Sequence, residues 1–159
     1  MNTRSSSLSR VDGFSSNSQM ANEAELIYAE GLAIPFTVAN ATAITKGAVL
    51  KMTDPFTAVS ADGDNDIVAG IAKEDKIASD GQTKLAVYRS GVYNMYASGS
   101  ITVGDPVGTI ATYTNYVATM DMTGQTLSGS RVLGIALETA TNGQTLRVEL
   151  RPGVAWPSI

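Results

Sequence analysis

Apolar residues along this chain come in short runs that Gly, Pro, Asp and Asn separate from one another. From residue 25 onward the runs read ELIYAE, AIPFTVAN, GAVLKMT, FTAVS, IVAGIA and SGVYNMYAS. Runs of roughly four to eight residues, rich in β-branched and aromatic types and bounded by turn residues, are typical of β-strands. No longer window shows the spacing of about 3.6 residues that marks a helix, although AKEDKIAS at residues 72–79 would fit one helical turn. The pattern predicts an all-β protein.

Turn residues predict where these strands begin and end. Pro35 interrupts AIPFTVAN, and because proline lacks the N–H that a sheet needs, we expect an edge or bent strand there. Asp54 and Pro55 separate GAVLKMT from FTAVS, and the sequence ADGDND at residues 61–66 predicts a turn before IVAGIA. GQT at residues 81–83 opens the next strand by a hairpin-like turn.

The chain contains two copies of one pattern. Three matching pairs carry it: AITKGAVL (43–50) with SITVGDPV (100–107), GIAKE (70–74) with GIALE (134–138), and GQTKLAVYRSGV (81–92) with GQTLRVELRPGV (143–154). The copies span about residues 43–94 and 100–155, and the second carries extra residues within 112–130. Turn glycines and aliphatic residues recur at matching places, which predicts two similar halves of one β domain with a shared core.

One strand of the repeat differs between the copies. In the second copy Leu146, Val148 and Leu150 alternate with charged residues, which indicates a half-buried strand. The aligned stretch KLAVYR of the first copy is apolar on both faces. Two explanations remain open from the sequence: the strand is covered on both faces, or its register differs by one residue.

Charge and composition restrict the function. The net charge is −4, which argues against nucleic acid as a partner, because binding to phosphates needs a basic surface. From residue 54 to 80, seven carboxylates and two lysines leave a net charge of −5, which we interpret as a solvated acidic rim. No apolar run approaches the roughly twenty residues of a membrane helix, and the N-terminal residues predict no secretory signal.

Candidate chemistry is sparse. The chain has no Cys and no His, which excludes thiol nucleophiles, imidazole bases and Cys/His zinc sites within it. Asp62, Asp64 and Asp66 are spaced like the start of a calcium loop, but Ile67 and Lys73 stand where that loop needs Gly and Glu. An acidic turn is the favoured interpretation and a cation site the open alternative. No phosphate-binding loop and no nucleophile elbow are present, so we expect no enzyme, no cofactor and no metal.

The two ends of the chain differ from its middle. Residues 1–22 are rich in Ser and Asn, and such a segment cannot build a core of its own, so we expect an extended arm before a β domain at residues 23–159. The isolated apolar residues of this arm are candidates for contact with another chain: Leu8, Val11, Phe14 and Met20. Trp156, the only tryptophan, either packs on the core or contributes to a subunit contact.

Residues 47–94 of the first copy resemble the head decoration proteins of lambda-like tailed phages. VAGIA at residues 68–72 matches the motif V-x-G-I-[AL], and YRSGVY at residues 88–93 matches Y-x-S-G-x-[YF]. The doubled pattern, with GIA-x-E and GQT in each half, is similar to a broader family of phage capsid-cement proteins. The resemblance covers about 115 residues, and the duplication departs from the single unit of the lambda form.

The resemblance implies a fold and a role. It implies a compact β-barrel or β-tulip-like domain that forms a trimer or similar oligomer. It also implies binding to the major capsid protein on the outer surface of the virion, after synthesis in the host cytoplasm. The expected function is to stabilise the expanded capsid lattice without catalysis, with the arm extending across the capsid protein.

A receptor- or glycan-binding module on a fibre or tail is the alternative function. Such a module would need an exposed aromatic cluster, and YTNY at residues 113–116 is the candidate for it.

Overall fold

The computed structural model describes residues 23–121 and 131–153 of the chain. Within these ranges the protein has no α-helix, and the prediction of an all-β protein is confirmed. The stretch at residues 72–79, which would fit one helical turn, forms none: β5 ends at Ala72, and turns follow it around an isolated bridge between Lys76 and Ile44. The strands are β1 (Glu25–Ala29), β2 (Ile34–Thr37), β3 (Val49–Asp54), β4 (Thr57–Ser60), β5 (Val68–Ala72), β6 (Lys84–Tyr88), β7 (Gly91–Ala97), β8 (Pro106–Thr109), β9 (Tyr116–Thr119), β10 (Gly134–Ala136) and β11 (Thr145–Leu150).

Strands β2 to β6 close into the first barrel, in the order β2-β4-β3-β5-β6. All its pairs are antiparallel except β2 with β4, which meet in parallel at one position, Thr37 opposite Thr57. Away from that position β2 pairs with β6 alone, and Pro35 lies in this stretch. The sheet therefore tolerates a residue that has no N–H.

Strands β7 to β11 close into the second barrel, in the order β7-β9-β8-β10-β11. Each pairing matches one in the first barrel, including the parallel contact, which here joins Tyr96 to Tyr116. The isolated bridge recurs as well, between Ile101 and Ala140. The repeated sequence therefore folds into two similar halves, as predicted, and β1 is the strand left over, paired with the first part of β7.

The buried positions of β6 and β11 answer the question that the repeat left open. In β6 the buried side chains are Leu85 and Val87, and in β11 they are Leu146, Val148 and Leu150. When the two GQT motifs are aligned, these sets are offset by one residue. Because successive side chains of a strand point to opposite faces, a one-residue slip moves the whole apolar set between faces. The register of the two copies therefore differs by one.

Each barrel has its own apolar interior, and the larger of the two clusters reaches across the boundary between them. The smaller cluster lies inside the first barrel and includes Phe36, Leu50 and Leu85. The larger cluster fills the second barrel and also takes in Val49 and Ile71 from the first. The outward faces of β3 and β5 are thus buried against the second barrel, which explains why β5 is buried at all five of its positions.

Candidate protein-interaction surface

Strand β1 is exposed to an unusual degree for an apolar strand. Its sequence ELIYA is exposed or half-exposed at all five positions, and Tyr28 is 66% exposed. It pairs with β7 on one side, and no described strand pairs with its other side. A free strand edge with unpaired backbone groups and exposed apolar side chains is able to add a strand from another chain.

Proline and basic side chains protect free edges in many sheets, and strands β1 and β2 differ in this respect. The open side of β2 carries Pro35, which removes a hydrogen-bond donor. Strand β1 carries no Pro, Lys or Arg between Glu25 and Ala29. The chain then continues through Leu32, which is 91% exposed, to Ile34 at the start of β2. We call residues 25–34 the exposed apolar segment.

The outer face of the second barrel carries charges that neutralise one another. The backbone N–H and the guanidinium of Arg147 both donate to the carboxylate of Glu138, which holds the pKa of Glu138 below its usual range. The guanidinium of Arg151, just after β11, donates to the carboxylate of Glu149. Exposed pairs of this kind contribute little free energy, and they leave no unbalanced charge that would mark a ligand site.

The acidic turn at residues 61–66 has partners within the protein. One carboxylate oxygen of Asp66 accepts hydrogen bonds from the backbone N–H groups of Asp62 and Gly63, at 3.1 and 2.8 Å. The Lys51 ammonium forms an ion pair with Asp62 and lies 3.9 Å from Asp66. Within residues 23–121 and 131–153 no group of three carboxylates is arranged to hold a metal ion. The favoured interpretation, an acidic turn, agrees with this geometry.

The same turn connects the two barrels. Thr109 of β8 is buried, and its hydroxyl accepts a hydrogen bond from the N–H of Asp66 at 2.8 Å and donates to the carbonyl of Gly63 at 2.9 Å. Asp64 accepts from the N–H of Ala111, and the guanidinium of Arg131 donates to the carbonyl of Asn65. Hydrogen-bond donors and acceptors of the turn are thus both paired with groups of the second barrel, so the turn fixes one barrel against the other.

The candidate aromatic cluster does form. Tyr116 lies between Tyr96 and Tyr113, with ring centroids 5.1 and 4.8 Å away, and Tyr113 is 47% exposed. The Tyr96 ring is stacked against Tyr116 and the Tyr113 ring is tilted against it, and both Tyr96 and Tyr116 are half-buried. A sugar-binding platform needs an open ring face, and this cluster offers little beyond Tyr113.

The residues that we proposed from sequence for partner contacts lie outside the described ranges. They are Leu8, Val11, Phe14, Met20 and Trp156. The exposed apolar segment was not among the sequence candidates, although ELIYAE shows four adjacent apolar residues where a half-buried strand would alternate. No helix in the described part of the chain has the length and apolar character needed to cross a membrane.

Comparison with known proteins finds one family model and a similar solved structure. A family model described as phage cement protein matches residues 28–152. Among solved structures the chain is similar to the head fiber gp8.5 N base of bacteriophage phi29, with 21% identity and a TM-score of 0.48. That match covers 78% of this chain and 99% of the other. None of the curated proteins matches the chain.

The family match extends from within β1 to just beyond β11 and therefore includes both barrels. The resemblance to phage capsid proteins that the repeated motifs indicated is confirmed. A structural, capsid-associated role in a phage virion follows. Because the matching model covers most of the sequence and both barrels, the chain belongs to the phage cement protein family.

Proposed function

We propose that this protein binds the outer surface of the expanded capsid and stabilises the lattice of the major capsid protein. Membership of the phage cement protein family carries the proposal. The two closed barrels, joined through Thr109 and the acidic turn, support it because they make a body suited to bridging neighbouring subunits. A protein that binds only the expanded arrangement stabilises that arrangement by mass action, and this role requires no catalysis.

The arm at residues 1–22 is the second part of the proposal. It would lie extended on the major capsid protein and bury Leu8, Val11, Phe14 and Met20 there. Ordering it costs on the order of 1 kcal/mol or more per residue. Full burial of each of the four side chains would stabilise the bound arm by roughly 1.5–3 kcal/mol. The arm leads directly into the exposed apolar segment, which would continue the contact onto the body.

We also expect several copies to assemble on the shell as a homo-oligomer, most simply a trimer, through contacts of the body. Trp156 is the proposed subunit contact, because tryptophan is enriched where interfaces bury a large apolar surface. Free protein that is monomeric by light scattering is compatible with assembly on the shell. Isolated single copies in the decorated virion would contradict it.

Co-sedimentation with undecorated capsids tests the function. The full chain is mixed with expanded and with unexpanded shells, and the bound fraction and the melting temperature of the shell are measured. We expect binding to expanded shells alone and a higher melting temperature of the decorated shell. Binding to neither form would contradict the proposal.

A variant that lacks residues 2–20 tests the arm separately. The described strands begin at Glu25, so this variant is expected to fold and remain soluble. Its affinity for expanded shells should fall sharply, and the quadruple alanine variant of Leu8, Val11, Phe14 and Met20 should reproduce the loss. If the truncated protein binds expanded shells with unchanged affinity, the arm contributes no binding energy and is only a tether.

A further inference from the structure

The turn between β3 and β4 places a bulky side chain at a position where the geometry of the turn favours glycine. Only Pro55 and Phe56 lie between the paired residues Asp54 and Thr57. Phe56 has a φ of +50°, in the left-handed region that side chains other than glycine avoid. When the residue after proline in a tight turn adopts positive φ, Gly or Asn is preferred there. A bulky Phe in this conformation costs free energy.

The side chain of Phe56 makes few stabilising contacts within the described part of the protein. It is 62% exposed, and among the described residues its one aromatic contact is the buried ring of Phe36, with centroids 5.6 Å apart. Its backbone carbonyl accepts a hydrogen bond from the N–H of Thr37 at 2.7 Å, which holds the turn against β2. Any residue provides that carbonyl, so the hydrogen bond does not account for an aromatic side chain.

The second barrel shows that the fold works without such a residue. There the N–H of Tyr96 donates to the carbonyl of Asn115 at 3.0 Å, which is the equivalent bond. Asn115 is fully buried and has ordinary negative φ. The second barrel therefore makes the same closing bond through a longer connection, residues 110–115, in which no residue has positive φ. Strained residues that their own fold does not require are concentrated at functional sites.

We propose that Phe56 is a binding anchor, which inserts its ring into an apolar pocket on the capsid shell. This inference rests on the proposed function and assigns one of its contact points. Large aromatic side chains dominate the energetics of protein interfaces, and a turn fixed at both ends presents the ring with little loss of entropy on binding.

Charge beside the anchor indicates the nature of the pocket. Asp54 is exposed and makes no ion pair within the described residues, while the nearby Lys84 ammonium is bound to the hydroxyl of Thr37. Residues 54–80 as a whole carry a net charge of −5. The pocket is therefore expected to have a basic rim, which favours approach of the acidic segment.

Binding to expanded shells is compared between the wild type and two variants, Phe56→Gly and Ser79→Gly. Ser79 is the matched control, because it also has positive φ, +62°, in a turn of the same barrel, but it has no large side chain. We expect Phe56→Gly to bind at least tenfold more weakly at an unfolding midpoint within a few degrees of the wild type. Ser79→Gly should bind like the wild type. Equal binding of Phe56→Gly would overturn the anchor.

A second measurement does not depend on the stability of a variant. Benzoyl-phenylalanine, a photo-crosslinking analogue of Phe, is incorporated at position 56 and, as a control, at exposed Ile77. Illumination of decorated shells should link position 56 to the major capsid protein and position 77 to it far less. Crosslinks from position 56 only to other copies of this chain would overturn the inference. A wild type that binds no shells would instead contradict the proposed function itself.

Discussion

Gly70 and Gly134 occupy the same point of the two barrels, and each faces a backbone carbonyl that leaves no room for a side chain. A Cβ added at Gly70 would lie 2.2 Å from the carbonyl oxygen of Tyr88, and one added at Gly134 would lie 2.0 Å from that of Glu149. Both neighbours are strand backbone, which cannot move without breaking the pairing of β5 with β6 or of β10 with β11. The recurrent GIA motif therefore marks a close strand contact and not a ligand site.

Substitution of Gly134 by Ala should destabilise the protein by about 3 kcal/mol, because the new methyl group overlaps a fixed carbonyl. Gly143→Ala is the control: its φ of +84° strains an alanine, but nothing lies within 4 Å of the added Cβ. We expect about 1–2 kcal/mol there. Urea unfolding measures both. Equal losses of unfolding free energy in the two variants would mean that the close contact at Gly134 adds nothing beyond the effect of replacing a glycine.

Lys76 is buried, and its ammonium donates to three backbone carbonyls, those of Asn40, Thr42 and Ile77. The equivalent position in the second barrel is Ala140, so the bonds are particular to the first barrel. Lys76→Met keeps most of the volume but leaves the carbonyls without their donor, and we expect a loss of about 3 kcal/mol or more. Exposed Lys73→Met should change the unfolding free energy by less than about 0.5 kcal/mol. A small effect at Lys76 would show that water replaces the ammonium.

Thr109→Val tests the contact between the barrels. The isosteric change removes the hydroxyl that serves the N–H of Asp66 and the carbonyl of Gly63, and it should cost about 2 kcal/mol. Thr119→Val is the control, since the hydroxyl of Thr119 is exposed. Its loss should stay below about 1 kcal/mol. The unfolding free energy is measured by chemical denaturation. Identical midpoints for Thr109→Val and the wild type would show that the Thr109 hydroxyl does not contribute to the contact between the barrels.

Asp80 should make the protein less stable in acid. The backbone N–H of Gln82 and, to a lesser extent, the Lys76 ammonium hold the pKa of Asp80 below its usual value. Because the unfolded chain then takes up the proton first, the stabilisation is present above about pH 4 and is lost as the pH falls through the folded pKa. Asp80→Asn should be less stable than the wild type at pH 7 and equal to it near pH 2. A difference that does not change with pH would exclude this linkage.

Glu23 should have the opposite effect. Burial first, then the charge of Asp75, raises the pKa of Glu23, and Lys46 offsets this in part. The ionised carboxylate is therefore disfavoured in the folded state, so stability falls as the pH rises from the pKa of the unfolded chain and the loss is complete above the raised pKa of the folded state. Glu23→Gln should unfold at a higher temperature than the wild type at pH 7, and the gain should vanish in strong acid. A lower melting temperature at pH 7 would show that the carboxylate makes a favourable contact.

The strand content and the duplication could be predicted from the sequence because both depend on local physics. Alternation in TLRVEL places Leu146, Val148 and Leu150 on one face, and turn glycines at matching places, such as Gly47 and Gly104, mark the two copies. The all-β class, the two similar halves and the family resemblance rest on these signals. The absence of Cys and His from the sequence likewise restricts its chemistry without any knowledge of the fold.

The tertiary structure decided what depends on contacts distant in the chain. The sequence left two explanations for KLAVYR. In the first barrel Ile71 pairs with Tyr88, and in the second barrel the equivalent Ile135 pairs with Glu149, which lies one residue earlier in the aligned strand. Closure of each barrel depends on a parallel contact, and Thr109 meets the acidic turn across more than forty residues. No local pattern encodes these pairings, because the free energy that selects them comes from burial and hydrogen bonds formed only when both barrels are complete.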